Sequence, residues 1–236
     1  MIHEKDGTVL VAVPGGLYTL GAEDLTELEQ PLHRVRLSPF RIARHPVTND
    51  QYRRFLEANP GYRKPAFWGE ESFNGPRQPV VGVSWEDAAA YCKWAGLTLP
   101  TEAQWEAAAR GADARRYPWG DEEPTPARAN YATLAGKTTP VDDHPDGSGP
   151  FGTLDMAGNV AEWCADALDP EAYAKRQEGQ LDPVAPLGEP SFRVLRGGSW
   201  LDRPSSLPAA LRGRYWARLR RRFIGFRCAQ PSSAGP

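Results

Sequence analysis

The chain has 236 residues, 40% of them hydrophobic, with 28 basic against 30 acidic side chains and a net charge of −2. That balance excludes a disordered chain and argues against nucleic-acid or membrane binding by the protein as a whole, leaving only local patches. With 23 glycines, 23 prolines and 8 tryptophans it suits a loop-rich fold with aromatic anchors better than a helix bundle.

The opening MIHEKDGTVLVAVPGG lacks the basic start, long apolar run and small-residue cleavage site of a signal peptide. No stretch approaches the ~20 apolar residues of a membrane span, so the expected location is the cytoplasm. TVLVAVPGGLYTLG (8–21) predicts two short strands around a Pro-Gly-Gly turn, and HRVRLSPFRI (33–42) alternates as another strand. In VTNDQYRRFLEAN, Thr48 is the expected N-cap with Gln51 as its capping-box partner, followed by Tyr52, Phe55 and Leu56 at helical spacing. SWEDAAAYCKWAG predicts a second helix opening on Ser84, with Asp87 at the box position and Gly96 as its stop. TEAQWEAAARG predicts a third, from Thr101 to Gly111. Beyond residue 115 the chain reads as turns and short strands, with an acidic, proline-rich surface insertion at 169–190. No internal repeat is visible, so residues 1–236 are expected to form a single α+β domain.

Cys92, Cys164 and Cys228 form no CxxC pair, which argues against a metal cluster and for buried thiols. No catalytic-triad order, P-loop, dinucleotide fingerprint or HExxH motif occurs. His33, His45 and His144 are scattered and read as structural.

Seven ordered blocks carry a family resemblance: VPGGLYTLG, HRVRLSPFRIARHPVTNDQYRRFL, PVVGVSWEDAAAYCKWAGLTLPTEAQWEAAARG, YPWGD, GTLDMAGNVAEW, RVLRGGSW and IGFRCA. Together, over roughly residues 8–229, they resemble the formylglycine-generating enzyme (sulfatase-modifying factor) family, which implies a C-type-lectin-like fold. One fold carries several functions, so the resemblance alone does not choose among them. Enzymes of the family oxidise a cysteine with copper held by two cysteines, at positions that fall here at about Asp202 and Leu207. Neither supplies a thiolate, and copper(I) prefers soft sulfur, so no copper is expected and the chain is expected not to be an enzyme. A sulfoxide-forming branch holds iron with histidines of an extra helical domain. This chain has four histidines (His3, His33, His45, His144) and no HxxxH pair. A divergent oxidase or sulfoxide-forming enzyme is the alternative reading.

A third branch with this framework resembles the variable proteins of diversity-generating retroelements, in which template adenines are randomised between GGSW and IGFR. Randomised asparagine codons yield Leu, Asp, Arg, Ser, Gly, Tyr and Phe, but never Lys, Glu, Gln, Met or Trp. Residues 201–223 contain no Lys, Glu, Gln or Met, with Trp216 the one exception. The expected ligand-binding positions are Leu201, Asp202, Arg203, Ser205, Ser206, Leu211, Gly213, Tyr215, Trp216, Leu219, Arg221, Arg222 and Phe223. Pro204, Leu207, Ala209, Ala210, Arg212 and Arg214 read as framework between them. The implied partner is a protein or small-molecule ligand. The arginine-aromatic run could also suit single-stranded nucleic acid, a weaker account of it. A kinase or other signalling partner is a third option.

The same resemblance implies a structural calcium ion at Asp155, Gly158, Val160 and Glu162, with Asn159 serving the turn. It also implies that Cys92 and Cys228 are adjacent, as a disulfide or as paired thiols, with Cys164 unpartnered.

Overall fold

The computed structural model describes residues 1–186 and 192–231. β1 (Leu10–Val13) and β2 (Gly16–Leu20) flank the predicted turn but do not pair with each other. The 33–42 segment, read as one strand, divides at Ser38-Pro39 into β3 (His33–Leu37) and β4 (Phe40–Ala43). Pro39 has no N–H to continue a ladder, and its ring packs so tightly on Gly15 that a Cβ there would lie 2.8 Å from Cδ. β1 then pairs antiparallel with β4, and β2 antiparallel with β3, so the two halves of each predicted unit enter different sheets.

The three helices begin where their capping residues place them. α1 (Asn49–Ala58) starts on Thr48 with Gln51 returning the bond, and α2 (Trp85–Ala95) on Ser84 with Asp87. α3 (Glu102–Arg110) starts on Thr101 with Gln104. Each box satisfies two amides that the helix itself cannot, a contribution of about 1 kcal/mol. α2 ends at Gly96 in the left-handed region (φ 77°), a conformation that costs glycine little. α1 and α2 bury Tyr52, Phe55 and Tyr91 against Phe226, with the Tyr52 and Tyr91 rings stacked at 5.6 Å.

β5 (Ala161–Ala167) is followed by the short α4 (Ala172–Lys175) and β6 (Gln180–Leu181), which adds parallel to β3. These last two occupy the predicted insertion, whose residues 187–190 lie outside the described residues. β7 (Phe192–Arg196), β8 (Gly213–Trp216) and β9 (Ile224–Gly225) complete a four-stranded sheet in the order β8-β7-β5-β9. β10 (Ala229–Pro231) closes the β1-β4 sheet. No helix among the described residues is long and apolar enough to cross a membrane.

α3 is buried on every side. Ala103, Trp105, Ala107, Ala108 and Ala109 pack into the core, and so do the carboxylates of Glu102 and Glu106. Two carboxylates in a core require cationic partners. Arg110 of α3 supplies one to Glu106, and others come from the segment that begins at Arg196.

Candidate functional site

Arg196 ends β7 and is fully buried. Its guanidinium meets Glu106 and donates to the carbonyls of Ala209 (3.0 Å), Ala210 (2.7 Å) and Leu211 (3.0 Å). Burial alone would lower the Arg196 pKa, but the Glu106 carboxylate raises it above the ordinary value. Burial would likewise push Glu106 up, and Arg196 and Arg110 hold it below the usual carboxylate range. Sixteen residues on, Arg212 donates through Nε and Nη2 to the two oxygens of Glu102 at 2.7 and 2.9 Å. Its amide donates to Glu29 Oε1 at 2.8 Å. The loop between β7 and β8 is therefore fastened to α3 at both ends.

The Gly197-Gly198-Ser199-Trp200 frame is set by close approach. Both glycines have positive φ, and a Cβ on Gly198 would lie 2.8 Å from the Ser206 carbonyl oxygen. Trp200 packs with Phe73, Val81 and Val160, and its Nε1 donates to the Arg222 carbonyl at 3.1 Å, joining the two ends of the block. Ser199 Oγ donates to Asp202 Oδ2 at 2.6 Å.

Between these fastenings lies an open cavity of about 200 Å³. Ala161, Leu195 and Phe223 give it apolar walls, and Asp202, Ser206, Leu211, Gly213 and Arg214 line the rest. Five of the thirteen predicted positions thus converge on one concavity: Asp202, Ser206, Leu211, Gly213 and Phe223. Arg203, Ser205, Arg221 and Arg222 are exposed beside it in the chain, and Leu219 is half-buried. Leu201 turns partly inward against the Trp200 cluster. Tyr215 is half-buried with its ring edge-on to Phe223 at 5.9 Å.

Trp216 does not join them. It pairs in register with Phe192, their rings 4.0 Å apart, and alternation along β8 places it on the opposite face from Gly213 and Tyr215. Of the expected framework, Leu207, Ala209, Ala210 and Arg212 are buried, whereas Pro204 and Arg214 are exposed. The motif reading missed Ala161 and Leu195, which form the wall, and Glu102 and Glu106, which hold the loop. Buried glutamates on an alanine-rich helix face, E-A-x-W-E, were the available signal.

Copper does not fit this site. Asp202 is engaged by Ser199, and Leu207 is fully buried beside Tyr117 and Tyr131. No cysteine lines the cavity: Cys92 and Cys228 lie elsewhere with their Sγ atoms 3.5 Å apart, and Cys164 is buried. The histidines stay apart, each on its own partners: His3 on Asp6, His33 on the Pro31 carbonyl and Arg176, His45 on the Pro46 carbonyl and His144 on Thr139. Among the described residues no three His, Cys, Asp or Glu side chains converge to hold a metal ion.

The expected calcium loop is a tight turn with positive φ at Asp155 (56°), Gly158 (80°) and Asn159 (59°). Asn159 serves that turn, donating to Asp155 Oδ2 and to the Thr139 carbonyl at 3.1 Å each. Glu162 has both oxygens engaged, by Arg227 Nε (2.6 Å), Arg227 Nη2 (2.7 Å) and Trp105 Nε1 (2.9 Å). A guanidinium thus already neutralises the second carboxylate of the set. Of the two carboxylates only Asp155 remains without a direct ion pair, too few charged oxygens to fit a calcium ion well. Burial pushes Asp155 up to about 7, with Glu162 and Asp143 adding to the shift.

The family model described as a sulfatase-modifying factor enzyme 1-like domain matches residues 3–232. Among curated relatives, a protein named serine/threonine-protein kinase Pkn1 from Chlamydia trachomatis is 37% identical over 94% of this chain, which spans only 38% of that protein's length. A formylglycine-generating enzyme from Thermomonospora curvata is 35% identical over 81% of this chain and 82% of its own. A hercynine oxygenase from Mycolicibacterium smegmatis is 33% identical over 93% of this chain and 60% of its own. Of solved structures, PvdO from Pseudomonas aeruginosa has a TM-score of 0.79 and 29% identity, covering 98% of this chain and 97% of that one. Treponema denticola variable protein 1 has a TM-score of 0.74 and 25% identity, covering 97% and 98%.

These likenesses bear out the expected α+β, C-type-lectin-like fold of the formylglycine-generating type. They overturn the expectation that the chain stands apart from enzymes, because proteins named as enzymes are among its relatives at 33–35% identity. That expectation rested on two missing thiols, which speak to one copper mechanism and not to catalysis in general. The chain belongs to the family of sulfatase-modifying factor enzyme 1-like domains.

Proposed function

We propose that this chain recognises a ligand, a protein or a small molecule, at the cavity above Leu195 and its 201–223 rim, in the manner of a retroelement-diversified variable protein. The observation that carries the reading is the division of labour within one segment. Leu207, Ala209, Ala210 and Arg212 are buried and hold the backbone, while Asp202, Arg203, Ser205, Ser206 and Leu211 between them reach solvent or the cavity. Such a surface can change its contents without loss of its frame. The absence of Lys, Glu, Gln and Met from 201–223 and the likeness to Treponema denticola variable protein 1 support it further.

The test is genetic. The DNA around the gene is expected to hold a near-copy of the codons for 196–227, differing only where the copy has adenine, beside a reverse-transcriptase gene. Absence of such a copy would remove the retroelement from the reading.

A second reading, a divergent oxidase, is favoured by the formylglycine-generating enzyme relative, which this chain matches over most of both lengths. Oxygen-consuming oxidation of a cysteine-containing peptide by the purified protein would establish it.

A further inference from the structure

We propose that the ligand of this face is an acidic peptide segment of a partner protein, with an apolar side chain between its acids. The proposal rests on the reading of 201–223 as a ligand-binding face and names the chemistry of what that face takes. The segment holds seven arginines and one acid, Asp202, whereas the rest of the chain is acidic, with 21 basic against 29 acidic side chains. Two of the seven are committed internally, Arg212 to Glu102 and Arg220 to the Asp87 carboxylate that also receives Arg63. The other five are Arg203, Arg214, Arg218, Arg221 and Arg222, all exposed. Among the described residues none has a carboxylate within ion-pair distance. Three consecutive cations at 220–222 repel one another, and among the described residues only the first meets a carboxylate. An anionic partner supplies what the fold leaves out.

Two of the five guanidinium groups are held in place beside the cavity, Arg222 over Trp200 (5.6 Å to the ring centre) and Arg221 over Tyr215 (5.7 Å), while Arg214 lies over Phe192 (5.4 Å) on the Trp216 side of β8. Arg221 Nε also donates to the Tyr215 hydroxyl at 3.2 Å. A planar fork steadied on a ring loses less freedom when it grips a carboxylate bidentately.

The same stacking argues for a peptide over single-stranded nucleic acid. Bases need open ring faces, and here Trp200 is 4% exposed and Tyr215 is covered by both Arg221 and Phe223. The adjoining cavity, with Ala161, Leu195 and Phe223 as walls, has about 200 Å³, room for one aliphatic side chain and not for a chain of nucleotides.

The experiment is fluorescence-anisotropy binding by the full chain at low and high salt. The probes are a pentapeptide of leucine flanked by two glutamates on each side, its glutamine counterpart, and a twelve-nucleotide oligothymidylate. The glutamate peptide is expected to bind at least about tenfold more tightly than the glutamine one and to weaken as salt rises. Arg221→Ser with Arg222→Ser should lose that difference, while Arg36→Ser, on an exposed position of β3 away from the face, should keep it. Equal binding of the two peptides, tighter binding of the oligonucleotide, binding of neither peptide, or indifference to the double substitution would each overturn the proposal. Equal binding of both peptides that the cavity-narrowing Gly213→Leu abolishes would sink the acidic class yet leave the ligand-binding face standing.

Discussion

Arg212 and Glu102 form a fully buried, two-pronged pair that ties the end of the 196–212 loop to the first turn of α3. The Arg212 guanidinium also lies over the Tyr173 ring, 4.2 Å from its centre. Removing one partner leaves the other charged and unmatched in the core. Glu102→Gln or Arg212→Met is therefore expected to cost about 3–5 kcal/mol, read from urea denaturation. Breaking the exposed Arg34–Glu178 pair should cost at most about 1 kcal/mol. Similar small losses from both would mean that the loop is not anchored through this pair.

The rim should behave oppositely. Joint substitution of Asp202, Arg203, Ser205, Ser206, Arg221 and Arg222 is expected to shift the melting temperature by no more than about 5 °C, since surface changes are individually small. Leu201, Tyr215 and Phe223 pack on neighbours and should not share that tolerance. Gly198→Ala, with its Cβ 2.8 Å from the Ser206 carbonyl oxygen at φ 67°, should cost more than the whole rim set together. A rim set that unfolds the protein, or a harmless Gly198→Ala, would contradict the division between frame and contents.

How far the sequence foretold this arrangement depends on the range of the forces involved. The helix starts at Thr48, Ser84 and Thr101 were legible because capping is settled within four residues. The pairing of β1 with β4 was not, because a Pro-Gly-Gly turn resembles a hairpin whichever strand finally accepts the ladder. In the site, the block limits were legible from the glycine-tryptophan frame, and the burial of Leu207, Ala209 and Ala210 from their type. The exposure of Arg214 and the displacement of Trp216 were hidden. Both follow from which face of β8 meets Phe192, a register set by β7. Glu106 was invisible as an anchor because its partner Arg196 lies ninety residues away.

Cys92 and Cys228 sit with Sγ atoms 3.5 Å apart in the core between α2 and β10. Burial pushes the Cys228 and Cys164 thiols well above their ordinary pKa, so the native protein should be unreactive toward Ellman's reagent at pH 8. Refolding with oxidised glutathione should close Cys92–Cys228, seen as a peptide-mapped loss of two hydrogens, and leave Cys164 free. Closing so long a loop should stabilise the fold by a few kcal/mol, at most about 5 in the chain-entropy account. A mixed disulfide at Cys164 with the pair left open would refute the assignment.

Asp166 accepts the Glu102 amide at 2.7 Å and the Ala185 amide at 2.8 Å from a buried position behind α3. Burial and then the neighbouring Glu102 carboxylate push its pKa up from 3.8 to about 6. An acid raised on folding binds its proton more tightly in the folded state. Its contribution is therefore full below about pH 4 and is lost as pH rises toward 6, flattening above. A carbon-13 NMR titration should place the Asp166 carboxyl midpoint near 6, and a midpoint near 4 would remove this contribution.

Calcium supplies the last test, since the resemblance implies the ion while Arg227 already holds Glu162. Arg227 also donates to the carbonyls of Ala43 (3.0 Å) and Leu154 (2.8 Å), so its guanidinium ties the end of β4 to the residue before the Asp155 turn. Glu162 is thus neutralised without an ion, and the turn is held by Asn159 and its backbone bonds to Asn130 and Gly197. A ligand that binds only the folded state stabilises it by RT ln(1 + [L]/Kd), so without a calcium site melting in millimolar calcium and in EDTA should agree within about 1 °C. A rise of several degrees that Asp155→Asn abolishes would show that Asp155 and the Gly158 and Val160 carbonyls recruit the ion despite Arg227. Arg227→Met separates the two cases, because it frees Glu162 and should make the fold depend on calcium if the guanidinium has been standing in for it.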